Sequence, residues 1–181
     1  MSSFHSHSPQ TMYYHYILLY NVIKKKSNFV HNINALRNSV HMLIKCPSCN
    51  KFNRLPLERV NQKPICGVCK ASLLLGPIDA DQASFKEILS QSKLPVIVDF
   101  WAPWCGPCKM FAPIFQASAA KHGEQVLHIK LDTEANPGIG QEFSIRSIPT
   151  LSGFKNGLEL KRISGALPPA QLEQFVRDLA N

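Results

Sequence analysis

Six cysteines form three Cys-x-x-Cys pairs, Cys46/Cys49, Cys66/Cys69 and Cys105/Cys108, and none is left over. Two sulfurs at this spacing can supply half of a tetrahedral metal site or cycle between dithiol and disulfide. The sequence around each pair separates these chemistries. Cys46/Cys49 and Cys66/Cys69 are 16 residues apart, a C-x2-C-x16-C-x2-C pattern. This is the ligand spacing of a four-thiolate zinc site, in which two tight turns each present two sulfurs. Gly67 is expected to permit the second turn. The segment 42–75 that carries them is too short to build a stable core alone, and chains of that size usually need a metal or disulfides. Disulfides or additional redox pairs are the competing reading of these four cysteines. A closed four-thiolate site would be structural, without Lewis-acid catalysis.

Cys105 and Cys108 stand instead where an apolar run, "LPVIVDFW" (94–101), meets a helical segment, "CGPCKMFAPIFQASAAKHG" (105–123). A three-residue spacing on the first helical turn puts both sulfurs on one face, close enough to bridge. The first sulfur lies over unpaired helix N–H groups, which with the helix dipole favour the thiolate, so Cys105 is expected to be the nucleophile. Cys108, one turn further in, is expected to be more buried and to resolve the mixed disulfide. Gly106 and Pro107 shape the turn, where the missing proline N–H costs nothing because the first helical amides have no partner. Half of a second metal site is the alternative, but no further cysteine exists to complete it.

Asp99 sits within the apolar run, on the strand face shared with Ile97 and Trp101. If buried there, its carboxyl should titrate high and could exchange a proton with Cys108. If at the strand end, it simply meets water. The residues alone leave both open.

These groups need elements to hold them. "SFKEILSQ" (84–91) puts Phe85, Ile88 and Leu89 on one helical face. The run 94–101 is apolar on both faces, as in a central strand covered on both sides. Pro113 should kink the helix that follows, and Lys121-His122-Gly123 suits its C-terminus. "QVLHIKLD" (125–132) reads as a strand and "NPGIGQEFSI" (136–145) as a short helix or turn. "TLSGF" and "ELKRIS" flank a hairpin turn, and "PPAQLEQFVRDLA" (168–180) is a closing helix. The order is helix, strand, helix, strand, helix, strand, strand, helix, a small α/β domain with a mixed sheet. Residues 76–82, "GPIDADQ", read as a linker into a helix cap.

"VDFWAPWCGPCKMFAP" (98–113) resembles the active-site segment of the thioredoxin family. The resemblance continues through "IRSIPT" (145–150), "FKNG" (154–157) and "SGA" (164–166), and covers about residues 80–181. It implies a thioredoxin fold, a mixed central sheet with helices on both faces, over 83–181. It implies that Cys105, Cys108 and Asp99 are nucleophile, resolving thiol and buried acid, and that Lys130 lies near that acid. Read unaided, Lys130 is a solvated strand residue. It implies that Pro149 is the family's cis-proline. With Ile148, Trp104 and Gly165, Pro149 would form a shallow apolar surface for the substrate chain; Trp104 unaided could equally be core. The chain departs from the family at Ser152-Gly153, where continuous apolar residues are usual, and this puts local strand packing in question.

A zinc-ribbon-like domain (42–75) joined to such a domain is similar to the zinc-containing second thioredoxins of bacteria, which "RLPLERV" also resembles. That implies a monomeric cytoplasmic reductase of protein disulfides, reduced by an NADPH-dependent flavoprotein, thioredoxin reductase. Two other readings compete. One is an exported oxidant or isomerase, which usually carries His in place of Pro107. The other is a zinc-ribbon binding module carrying a passive thioredoxin domain.

Net charge is +8, and the first 41 residues hold four of the basic residues and no Asp or Glu, leaving a mild excess elsewhere. That excess does not require a nucleic-acid partner. The same 41 residues hold all four tyrosines and five of the seven histidines. Their apolar run, "YILLYNVI", is too short to cross a bilayer. Their charges follow that run, unlike a secretory signal, and a transit peptide is the alternative their composition leaves. Tyr, Asn, Lys, Ile and Phe share A/T-rich codons, as would untranslated sequence read in frame. Met42 is therefore the expected natural start, and 1–41 is expected to be a poorly ordered extension.

Overall fold

The computed structural model describes residues 41–181, so the expectation for 1–41 lies, except at His41, outside the described residues. Two sheets are present among the described residues. The first is a hairpin of β1 (His41–Lys45) and β2 (Phe52–Pro56), antiparallel, with His41 opposite Pro56 and Lys45 opposite Phe52. Met42 and Ile44 alternate into its buried face. A 3-10 helix, Leu57–Gln62, follows β2 and buries Leu57 and Val60.

The second sheet has five strands in the order β3-β5-β4-β6-β7. They are β3 (Ile78–Ala80), β4 (Val96–Trp101), β5 (Leu127–Asp132), β6 (Thr150–Lys155) and β7 (Leu158–Ser164). β3, β5 and β4 run parallel to one another, while β6 is antiparallel to both β4 and β7. The helices are α1 (Gln82–Gln91), α2 (Gly106–His122), α3 (Pro137–Glu142) and α4 (Pro169–Ala180).

In this sheet the strand absent from the sequence reading is β3, and the hairpin β1–β2 is absent from that reading as well. Residues 76–82 are not a linker: Ile78, Asp79 and Ala80 pair with Ile129, Lys130 and Leu131. Three residues at a sheet edge offer too little periodicity to be read. The cap at its end was legible. Asp81 Oδ1 accepts from the Ser84 N–H at 2.8 Å, and Ser84 Oγ accepts from the Asp81 N–H at 3.0 Å, a reciprocal box that starts α1.

Alternation along β4 divides the core. Val96, Val98 and Phe100 pack in one cluster with Phe85 and Ile88 of α1, Ile139 of α3 and Phe154. Ile97 packs in the other with Phe111 and Phe115 of α2 and Leu172, Phe175 and Val176 of α4. Both faces of β4 are therefore covered, as its double-sided apolar sequence requires. In the first cluster Phe85 meets Phe100 and Phe154 edge-on, each at 6.1 Å between ring centres. Each such pair adds about 0.5–1.5 kcal/mol beyond area burial.

The cysteine-bearing segment is continuous with this core. Met42, Ile44, Leu55, Leu57, Val60, Leu73 and Leu74 belong to the same buried cluster as Phe85 and Ile88. Asn61 fastens the 3-10 helix to the end of α1. Its Nδ2 donates to the Gln91 carbonyl at 3.1 Å, and its Oδ1 accepts from the Lys93 N–H at 2.8 Å. One side chain thus satisfies a helix-end carbonyl and the amide beyond it.

Two glycines are explained by close approach. Gly123 does end α2, but with φ −59°, not the left-handed angle common at that position. A Cβ there would lie 1.8 Å from the Leu74 carbonyl oxygen, so glycine makes room for the incoming chain. At the departure Ser152-Gly153, a Cβ on Gly153 would meet Phe175 at 3.0 Å and Leu179 at 3.1 Å. The residue that costs β6 strand propensity lets α4 pack closely. The hairpin β6–β7 turns through Asn156 and Gly157, both at positive φ, as a tight two-residue turn demands. α2 runs through Pro113 as one helix.

Candidate functional site

Cys105 is the N-cap of α2, with extended backbone (φ −76°, ψ 106°). The Cys108 N–H donates to Cys105 Sγ at 3.1 Å, using one of the amides that a helix start leaves free. The two sulfurs form a disulfide, with the Cα atoms 5.3 Å apart. Cys105 and Cys108 are 3% and 1% exposed, so the expected contrast in burial is slight. Trp104 beside them is 68% exposed and therefore not core. Pro107 occupies the first turn of α2, as its missing N–H allows. Gly106 has no atom within 4 Å of where a Cβ would stand, so no close contact requires a glycine there.

Asp99 is fully buried, which decides against a strand-end carboxylate in water. It lies opposite Lys130 in the parallel β4–β5 register. Lys130 Nζ donates to Asp99 Oδ2 at 2.8 Å and lies 4.5 Å from the centre of the Trp101 ring. Oδ1 has no hydrogen-bond partner. Burial pushes the Asp99 carboxyl above the usual carboxylate range, and the Lys130 charge offsets only part of that. Lys130 is therefore not a solvated strand residue: its side chain is 14% exposed.

The Ile148–Pro149 bond is cis. The Gly165 N–H donates to the Pro149 carbonyl at 2.7 Å, with Gly165 at φ 101°. That bond holds the start of β6 beside the end of β7, and so fixes Ile148, Pro149 and Gly165 together.

The four remaining cysteines converge. Their sulfurs all lie within 4.8 Å of one another, with Cys46–Cys69 and Cys49–Cys66 each at 3.6 Å. A tetrahedral zinc bound at about 2.3 Å by sulfur needs edges of about 3.8 Å, so the set fits that ion. The two turns are built alike. The Asn50 N–H donates to the Cys46 carbonyl and the Lys70 N–H to the Cys66 carbonyl, at 3.0 and 3.1 Å. Asn50 and Lys70 take the left-handed conformation that closes each turn, at φ 60° and 63°. The expectation for Gly67 is corrected: it has no positive φ, and the strained position is three residues later.

The donor set is also prepared electrostatically. Backbone N–H groups of Cys69 and Val68 pull the Cys66 thiol down to about 6. At Cys49 the Lys51 N–H favours the thiolate, but burial and the three neighbouring sulfurs outweigh it and push the thiol up to about 12. Four adjacent thiolates resist ionising together until a cation shares their charge. Sequence reasoning missed Asn53. Its Nδ2 donates to Cys66 Sγ at 3.5 Å, and its Oδ1 accepts from the Gly67 N–H at 2.9 Å. An asparagine on β2, 13 residues before Cys66, carries no sequence signal of that contact.

The thioredoxin family model matches residues 76–178, more than half of the chain. The chain belongs to the thioredoxin family. A second model, described as Thioredoxin 2, N-terminal, matches residues 45–71 and so takes in all four clustered cysteines. Thioredoxin C-3 of Corynebacterium nephridii is 47% identical over 136 residues, covering 75% of this chain and 93% of that one. A thioredoxin of Synechocystis is 48% identical over 90 residues, covering 50% of this chain and 84% of its own. The solved thioredoxin of Malassezia sympodialis aligns with TM-score 0.53 at 33% identity, covering 59% of this chain and 93% of that one. That of Plasmodium falciparum aligns with TM-score 0.52 at 34% identity, covering 55% and 96%. As a thioredoxin the protein is a thiol–disulfide oxidoreductase preceded by a zinc-ribbon domain with clustered cysteines. Among the described residues no helix is long and apolar enough to cross a membrane.

Proposed function

We propose that this thioredoxin reduces protein disulfides through Cys105 and Cys108. The observation that carries the reading is the Cys108 N–H aimed at Cys105 Sγ from the first turn of α2. An N–H donor and the helix dipole both favour a thiolate at Cys105.

In the reduced protein the Cys105 thiolate attacks one sulfur of a substrate disulfide. A mixed disulfide forms, and the other substrate sulfur leaves as a thiolate that takes a proton from solvent. Cys108 then gives its proton to the Asp99 carboxylate and attacks Cys105 Sγ. The Cys105–substrate bond breaks, and the second substrate sulfur leaves as a thiolate that takes a proton from solvent. Two electrons have passed to the substrate, and the protein is left with a Cys105–Cys108 disulfide. Asp99 suits the proton exchange because burial raises its pKa and Oδ1 is unpartnered. Lys130 is its positioning residue. Trp104, Ile148, Pro149 and Gly165 would hold the substrate chain as an extended strand, and the exposure of Trp104 supports that role.

Cys46, Cys49, Cys66 and Cys69 would hold zinc, which supplies folding free energy to this small segment and no catalysis. Reduced cysteines at that cluster suit the cytoplasm, where an NADPH-dependent thioredoxin reductase would return the dithiol. Reduction of insulin disulfides tests the reading. Cys105→Ser should abolish it, while Cys108→Ser should accumulate the mixed disulfide. Turnover that survives Cys105→Ser would overturn it.

A further inference from the structure

The zinc-ribbon domain carries a second surface that the disulfide chemistry does not use. Residues 41–75 hold six cations and a single acid, Glu58. Arg54, Arg59 and Lys63 line one cleft of about 500 Å3 between β2, the 3-10 helix and the run into the second cysteine turn. All three are exposed, and Lys63 is held out at φ 50° where the 3-10 helix ends. Among the described residues, none of the three side chains has an ion-pair or hydrogen-bond partner. The seven ion pairs among the described residues all lie beyond residue 85, where six other lysines and arginines are each matched to an acid.

Three unmatched cations along one cleft repel one another, and an anionic partner would relieve that repulsion. The floor narrows the choice of partner. Leu55 and Leu73 are buried beneath the cleft, and Ile65 stands 58% exposed at its side. No lining residue is aromatic. Single-stranded nucleic acid is held by a cationic groove with aromatic stacking platforms, and this cleft lacks them. An aliphatic floor under a cationic rim suits a peptide whose apolar side chain is flanked by carboxylates.

We infer that the Arg54/Arg59/Lys63 cleft is a docking site for an acidic, apolar-centred peptide segment of a partner protein. The cleft lies on the zinc-ribbon side and takes no part in electron transfer, so the binding is independent of Cys105 and Cys108.

The probe is a fluorescein-labelled dodecapeptide of Asp and Glu around a central Leu-Ile pair, titrated with the full zinc-loaded chain and read by anisotropy. Saturable binding is expected, weakening between about 50 and about 300 mM salt as rim charges are screened. Arg54→Glu/Arg59→Glu/Lys63→Glu should weaken it at least about tenfold, the size of effect a few charge-pair contacts supply. Arg54→Gln/Arg59→Gln/Lys63→Gln is the milder variant, and zinc per chain confirms that either is folded. Cys105→Ser/Cys108→Ser should bind as tightly as wild type, which separates this site from the dithiol. No saturation, equal binding by the folded triple variants, or tighter binding of an oligothymidine in the same cleft would each overturn the inference.

Discussion

Lys130 faces Asp99 across two neighbouring parallel strands, and its ammonium reaches only one of the two carboxylate oxygens. The other oxygen is buried without a partner, where among the described residues nearly every other buried polar side chain is satisfied. An orphaned acceptor of this kind is costly, and its cost is lowest when a proton sits on it.

A sign follows for stability against pH. The folded pKa of Asp99 is raised, so its contribution is fully present below the unfolded value near 4 and is lost as pH rises through the folded value. Asp99→Asn should remove that slope. The same variant should leave attack by Cys105 intact but slow release of the mixed disulfide by about 100-fold, the ordinary range for losing a positioned base. Denaturant midpoints across pH and single-turnover kinetics check the two halves.

His128 carries the opposite slope. It is buried, donates from Nδ1 to the Val126 carbonyl at 2.8 Å and accepts at Nε2 from the Ser118 hydroxyl at 2.9 Å. Burial lowers it to about 4 against the opposing hydrogen bond to Val126, with the nearby His122 a smaller contributor. A depressed histidine holds its stabilising contribution above its unfolded value and loses it as pH falls through 6.5 towards 4. The loss at pH 4 should reach about 3 kcal/mol. His128→Leu should flatten this part of the curve in urea unfolding measured from pH 4 to 7.

Asn53 should tune the metal. Asn53→Ala removes the N–H that reaches Cys66 Sγ and the acceptor that fixes Gly67. Zinc affinity is expected to fall about 10- to 100-fold, as for other partners of metal ligands, with one zinc still bound at excess metal. Competition against a chromophoric chelator measures it; unchanged affinity would reduce Asn53 to a turn residue.

Gly123→Ala should be among the most damaging small substitutions. The added methyl group would overlap the Leu74 carbonyl, which is backbone and has no rotamer to yield. A loss of about 3 kcal/mol or more is expected, read as a drop in Tm.

The sequence exposed what depends on residue type and spacing. Cys46, Cys49, Cys66 and Cys69 announce a clamp by their intervals, and Val96–Trp101 announces a covered strand by being apolar on both faces. It hid what depends on backbone meeting backbone. β3 is too short to show alternation, and Gly123 looks like an ordinary helix stop until Leu74 is seen beside it. Asn53 acts through a contact that no interval encodes. The left-handed turn positions are Asn50 and Lys70, whereas residue type alone points to Gly67.

The shared cluster joining Leu57, Val60 and Leu74 to Phe85 and Ile88 has a practical meaning for anyone cutting this chain. A fragment begun at Gly76 would not be a smaller thioredoxin with an ornament removed. It would bare an apolar seam, strip Asn61 from the end of α1 and leave the carbonyl groove at Gly123 vacant. Such a piece should self-associate. The zinc-ribbon domain is better regarded as a wall of the house than as a porch.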